Sequence, residues 1–240
     1  IRPSRGLGDV YKRQGMLQLL ERDLEHSGME TEPAKMMFSE IERIERLLKQ
    51  LLMHSHPMPI KSQSFNLHEL LDTVLSFERS SHPGLRFTAY YDASLPDIEA
   101  DRDKLHQVFL NLVRNASEAC PADGRVRVLT RHCAHWELAG TNLDPTRRYI
   151  LVSIEDEGPG IPEELRKNIF KPLFSTKKQG TGLGLSISFR LVESHGGQLR
   201  YQPSERSGAC FQVILPESQS EPLEENSPNF VYQDLRKEIS

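Results

Sequence analysis

Cysteine is scarce in this sequence: Cys120, Cys133 and Cys210 are the only three in 240 residues, and no two form a CxxC pair. That spacing excludes a disulfide framework and a cysteine-held zinc site, and predicts reduced thiols in a cytoplasmic protein. Long apolar runs are also missing. No stretch has the length of a membrane span, and the first residues carry no apolar core of the kind a signal peptide needs. Positive charge is in short supply: 30 Lys and Arg stand against 34 Asp and Glu, for a net charge of −4. Such a balance provides no basic field for nucleic acid and no polybasic patch for a membrane surface. What remains is 37% hydrophobic and 27% charged, enough to pack one large domain, or one domain with a smaller element, under a polar surface.

The organisation changes along the chain. Residues 9–14 read DVYKRQ, which looks like a translated transposon-end adapter, so residues 1–14 are expected to be a non-native leader. Residues 15–57 are expected to form a helical hairpin. Met16, Leu19, Leu20 and Leu24 recur at helical spacing in its first arm, and Met37, Ile41, Ile44, Leu48, Leu51 and Leu52 in its second, which starts near Pro33. Two apolar stripes are more than one hairpin can bury, so a homodimeric four-helix bundle is the expected completion. HPMP at 56–59 leads into a linker over 58–63. Residues 64–216 mix strands and helices without βαβ regularity, which predicts an α+β fold. Asn66 should cap a helix, and a long helix over 101–120 should turn Leu105, Val108, Phe109, Leu112 and Val113 inward. Residues 134–146 read as a polar excursion between two strands, and 163–170 as a short helix. From 217 to 240 the composition is acidic and Ser-rich, and a disordered tail is expected.

Three motifs in the second unit carry chemistry. NLVRNA at 111–116 places the Asn111 and Asn115 amides on one helix face. That face is either simply solvated or able to offer oxygen to a hard divalent cation. DEGPG at 156–160 follows the apolar strand YILVSI. It is either a strand-end turn or a carboxylate for a base amino group, with glycines that admit the base. GTGLGLS at 180–186 opens a helix. It is either a linker or a cradle whose backbone N–H groups face phosphate. Between the last two, NIFKPLFSTKK carries Phe170, Phe174, Lys177 and Lys178, the composition of a lid with apolar anchors and cations.

In this order the motifs resemble the ATP-binding domain of bacterial sensor histidine kinases, within the larger GHKL family that also holds gyrase-type ATPases and Hsp90-type chaperones. NLVRNA matches the N box, DEGPG the first glycine box, IFKPLF the F box and GTGLGLS the second glycine box, and His195 to Gly197 fall where a third glycine pair sits. QLLERDLE, YYDASLP and NLVRNASEA look like the nitrogen-regulation subfamily. The resemblance implies a two-layer α/β sandwich that holds ATP and Mg²⁺. Asn115 would ligate Mg²⁺, Asn111 would support the phosphates, and Asp156 would read adenine with Gly158 and Gly160 admitting the base. Phe170, Lys177 and Lys178 would belong to the lid, and Gly180, Thr181, Gly182, Leu183 and Gly184 would wrap the phosphates. The implied partners are an NtrC-like response regulator, a second copy of the chain, and a small signalling protein. Gyrase-type relatives carry a Glu where Asn111 stands, as the base that activates water; an amide cannot take a proton. Many sensor kinases carry a Lys three residues after Asn115, where this chain has Glu118.

A histidine kinase also needs an acceptor. None of the nine histidines is followed by the Asn-Pro or Thr-Pro of the family's H box. His68, in HELLD, lies in the first helix of the ATP-binding unit and reads as a surface residue. The expected reading is a phosphoryl donor without its own acceptor, unable to label itself. The alternatives are a nucleotide-sensing module that controls dephosphorylation of the regulator, and a gyrase- or Hsp90-type ATPase.

Overall fold

The chain divides into two units, Ile1–His56 and Pro57–Ser240. The computed structural model describes residues 60–177, 180–204 and 208–217, all in the second unit. The expected leader, the helical hairpin, Lys178 and the tail beyond residue 217 lie outside the described residues.

The second unit is a five-stranded sheet with helices against it, beside a small two-stranded ribbon. Strand β1 (Gln63–Phe65) leads into helix α1 (Leu67–Ser81), and strands β2 (Arg86–Tyr90) and β3 (Ile98–Ala100) lead into helix α2 (Arg102–Ala119). Strands β4 (Arg125–His132) and β5 (Tyr149–Asp156), the one-turn helix α3 (Glu163–Arg166), helix α4 (Gly184–Ser194), and strands β6 (Gln198–Pro203) and β7 (Ala209–Pro216) complete it. The sheet order is β2-β4-β5-β7-β6, and β1 pairs with β3 separately. Strand β2 runs parallel to β4, and the other neighbours are antiparallel. Helix α2 packs between α1 and α4 and lies on β4 and β5. The two-layer α/β sandwich expected above is therefore the fold observed.

Local chemistry sets the helix starts. Asn66 Oδ1 accepts from the His68 and Glu69 N–H groups at 2.9 and 3.3 Å, capping α1 as its sequence position predicts. Asp101 Oδ1 caps α2 by accepting from the Lys104 N–H at 3.2 Å, and its Oδ2 accepts from the Lys61 N–H at 3.0 Å. The five α2 residues expected inward are all fully buried. His195 turns its ring onto the start of the same helix. Its Nε2 accepts from the Asp101 N–H at 3.1 Å, while Nδ1 donates to the Leu191 carbonyl at 2.6 Å. The HGG stretch thus ties the end of α4 to the beginning of α2.

Four readings change. The segment 163–170 is helical only over its first four residues, after which the chain turns. The short strands β1 and β3 were not anticipated. His68 is half-buried rather than a free surface residue: its ring stacks on Tyr91 at 4.5 Å and its Nε2 meets Thr130 Oγ1 at 2.9 Å. Burial lowers its pKa below the ordinary value, against the raising fields of Asp72 and Asp92. The polar excursion after β4 builds a small core of its own on the sheet face away from the helices. There Leu138, Tyr149, Leu151 and Ile214 come together, with Cys133 and Leu143 against them.

Glu137 pins that excursion. Its side chain is 5% exposed and accepts from both Arg131 terminal nitrogens, at 2.5 and 2.7 Å, and from the Ala134 N–H at 2.9 Å. The Arg131 hydrogen bonds hold its pKa below the usual carboxylate range. A carboxylate with a depressed folded value adds stability above its unfolded value, and that stability is lost as pH falls through the folded one. Glu137→Gln should therefore cost about 2 kcal/mol at neutral pH, with the gap to wild type closing in acid. Urea unfolding at pH 7 and pH 3 measures both.

Candidate functional site: glycine contacts around helix α2

The site is assembled by close backbone approaches, and glycines make them. At the end of β5, Asp156 is buried, and its Oδ1 accepts from the Gly158 N–H at 2.9 Å and the Ala209 N–H at 3.1 Å. Burial raises its pKa, against the two backbone hydrogen bonds and the Lys177 charge. A Cβ on Gly158 would stand 2.7 Å from the Ala119 carbonyl oxygen, so the DEGPG turn lies directly against the end of α2. Gly160 has φ +74°, and a Cβ there would meet the Gly208 carbonyl oxygen at 3.0 Å. The first glycine stretch is thus clamped between α2 and the start of β7.

The second glycine stretch meets α2 further along. Asn111 Nδ2 donates to Ser188 Oγ on α4 at 3.0 Å, and Asn111 Oδ1 lies so near Gly184 that a Cβ would collide with it. Gly184 admits the Asn111 carboxamide at the first turn of α4. Leu183, at the N-cap of that helix, gives no side-chain cap, which leaves an anion-favouring helix start without a side-chain acceptor from its cap residue. The Leu183 N–H reaches Thr181 Oγ1 at 3.4 Å. Gly182 has φ +67°, with the Leu173 and Phe174 backbone where its Cβ would be, and a Cβ on Gly180 would collide with Ser175 Oγ.

The segment between the stretches closes the ring. Phe170 packs on Phe189 of α4 at 5.3 Å and edge-on to Phe211 of β7 at 6.4 Å, anchoring the base of the segment rather than presenting a free ring. Leu173 is 63% exposed and has φ +64°. Lys177 sends its ammonium back to α2, where it donates to Asn115 Oδ1 at 3.3 Å and pairs with Glu118.

The expected residues that are described fall into local groups around α2: Asn111 with Gly184, Asn115 with Lys177, and Asp156 with Gly158 and, through Gly208, Gly160. Gly180 and Gly182 meet Ser175 and Leu173 of the intervening segment, and Phe170 packs on Phe189 and Phe211. Gly208, Ala209, Ser188 and Glu118 join them and were not anticipated as site residues. Gly208 stands just before a strand, the one sequence signal that could have marked a close approach. Among the described residues, no three or more His, Cys, Asp or Glu come together as a metal cluster. A divalent cation here would rest on Asn115, with waters and phosphate oxygens completing its shell, as suits Mg²⁺.

Residues 100–219, half of the chain, match the family described as histidine kinase-, DNA gyrase B-, and HSP90-like ATPases. The chain belongs to this ATPase family. Its relatives include the sensory histidine kinase/phosphatase NtrB of Azospirillum brasilense, 34% identical over 206 residues, which are 85% of this chain and 51% of that protein. The signal transduction histidine-protein kinase AtoS of Escherichia coli (strain K12) is 34% identical over 205 residues, 85% of this chain and 32% of that protein. The chain spans about half the length of the NtrB relatives it matches. Among solved structures, the catalytic domain of histidine kinase ThkA superposes with a TM-score of 0.56 at 32% identity, over 66% of this chain and 97% of that one. ThkA in complex with the response regulator protein TrrA gives 0.60 at 26% identity, over 90% of this chain and 60% of that one. No described helix is long and apolar enough to cross a membrane.

Proposed function

We propose that this chain is the ATP-holding, phosphoryl-donating portion of a sensor histidine kinase in two-component signalling, of the nitrogen-regulation type. The observation that carries the reading is Asn111. In the place where gyrase-type relatives hold a general base stands an amide, and its nitrogen is already committed to Ser188 Oγ. Such a group cannot take a proton from water, so the site suits holding ATP until another nucleophile arrives.

Each residue has a part in that act. Asp156 Oδ1 is occupied by two backbone N–H groups, and its other oxygen accepts from the adenine amino group. The N–H groups at the start of α4 face the phosphates, and Asn115 holds the Mg²⁺. When bound, Mg²⁺ neutralises phosphate charge and fixes its geometry. The attacking imidazole nitrogen forms the new N–P bond, the bond from the γ-phosphorus to the bridging oxygen breaks, ADP leaves, and the imidazole proton passes to a neighbouring acid. The phosphoryl group then moves to a response regulator, NtrC-like in this subfamily. The relatives' names and the ThkA–TrrA complex support that order. Homodimerisation through residues 15–57, control by a small signalling protein, and a cytoplasmic location belong to the same reading.

Two measurements test it. Calorimetric titration should show saturable Mg-ATP binding. With radiolabelled ATP and a separate chain carrying an H box, acid-labile label should appear on the partner and none on this chain. Sustained phosphate release without an acceptor would instead favour the ATPase reading.

A further inference from the structure

Glu118 stands where many sensor kinases carry a lysine, and the structure shows what it does with its charge. It lies three residues after Asn115 on α2, so both side chains lie on one face of the helix. Their oxygens converge on one cation: the Lys177 ammonium donates to Asn115 Oδ1 at 3.3 Å and pairs closely with Glu118 Oε2. An amide oxygen and a carboxylate oxygen around one positive charge are also a hard-cation donor pair.

The rest of Lys177 is held independently of that ammonium. Its backbone N–H donates to Ser175 Oγ at 3.1 Å, and its carbonyl accepts from the Gly180 N–H at 3.1 Å. The ammonium can therefore leave by side-chain rotation alone, with the turn around it intact.

We propose that Glu118 is a second protein donor to the divalent cation at Asn115, and that Lys177 is the resident counter-ion which that cation displaces. The proposal rests on the Mg-nucleotide reading of the site and deepens it. Metal and ammonium compete for the same two oxygens. In the metal-free state Lys177 neutralises Glu118. In the loaded state Glu118 is neutralised by the metal, and the released ammonium meets the phosphates that arrive with it. The lysine absent three residues after Asn115 is thus replaced by one from the glycine-loop side, with a carboxylate to park it. The Lys177 and Glu118 side chains are 44% and 42% exposed, so solvent screens their attraction and the competition is modest.

The test uses Mn²⁺ alone as the probe, with free aqua-ion followed by electron paramagnetic resonance and the whole chain without nucleotide. Lys177→Met should bind Mn²⁺ about three- to five-fold more tightly than wild type, because the competitor is gone. Adding Glu118→Gln to Lys177→Met should abolish that gain and bring affinity below wild type. Unchanged or weaker binding by Lys177→Met, or no effect of Glu118→Gln, would overturn the proposal. Binding of the fluorescent analogue TNP-ATP to wild type with Mg²⁺ present serves as a separate control. If TNP-ATP fails to bind, the nucleotide reading is lost, while the Mn²⁺ series still decides the competition between Lys177 and the metal.

Discussion

Asp156→Asn should keep the domain folded and lose its nucleotide. An Asn Oδ1 can still accept from the Gly158 and Ala209 N–H groups, at 2.9 and 3.1 Å in the native protein, so the turn retains its internal bonds. The other side-chain atom changes from an acceptor to an amide donor. It then faces the adenine amino group donor to donor. A lost charge-assisted hydrogen bond is worth about 1.5–3 kcal/mol, and the opposed donors add to it, so affinity should fall about 100-fold or more by calorimetry. Stability should move the other way. Burial raises the folded pKa of Asp156. A group with a raised folded value contributes most below its unfolded value, and that contribution is lost as pH rises through the folded one. An Asn variant carries no such loss, so its urea midpoint should gain on wild type as pH climbs from the ordinary carboxylate range toward neutrality. Wild-type affinity in the variant would remove Asp156 from base recognition.

Gly208→Ala should be the most damaging single-methyl substitution in the site. Gly208 has φ +91°, and a Cβ there would collide with the Asp156 backbone carbonyl and stand 2.7 Å from its Oδ1. The carbonyl is backbone, and Oδ1 is held in place by the Gly158 and Ala209 N–H groups. The left-handed backbone alone costs an alanine about 1 kcal/mol, and the overlap must push apart β5 and β7, for a total of about 3 kcal/mol or more. Because Gly160 leans on the Gly208 carbonyl, the DEGPG turn moves as well. The melting temperature should drop by about 10 °C, with nucleotide binding lost even below the transition. A thermal melt with an unchanged midpoint would show that the two strands can separate there at little cost.

Much of the fold was legible because its signals are local. Asn66 announced a cap, and α2 displayed five inward apolar residues at helical spacing. The motif order pointed to the glycine contacts: DEGPG lies at the end of β5 and GTGLGLS at the start of α4, while NLVRNA lies within α2. Other features depend on distance along the chain. The Asp156–Ala209 bond spans 53 residues, and the Lys177–Glu118 pair spans 59, which no spacing rule connects. Strands β1 and β3 are three residues each, too short for alternation to register. His68 carried surface-like neighbours in sequence, but its partners are Tyr91, just past the end of β2, and Thr130 of β4. Gly184 looked like part of a phosphate loop, and its tightest neighbour is the Asn111 amide.

The long-range register around Asp156 also bears on time. Strand β5 pairs with β7 by matching Ser153 to Gln212, and β2 joins β4 in parallel across the α2 crossover. Pairings between distant segments pay their loop-closure entropy before they are rewarded, so they tend to complete late in the folding search. Asp156 acquires its second backbone partner, the Ala209 N–H, only when β7 has paired with β5. A ligand that needs this carboxylate held in place binds only after that pairing. It acts afterwards as a brake on escape from the native state, lengthening the lifetime of the folded protein rather than shortening the journey to it.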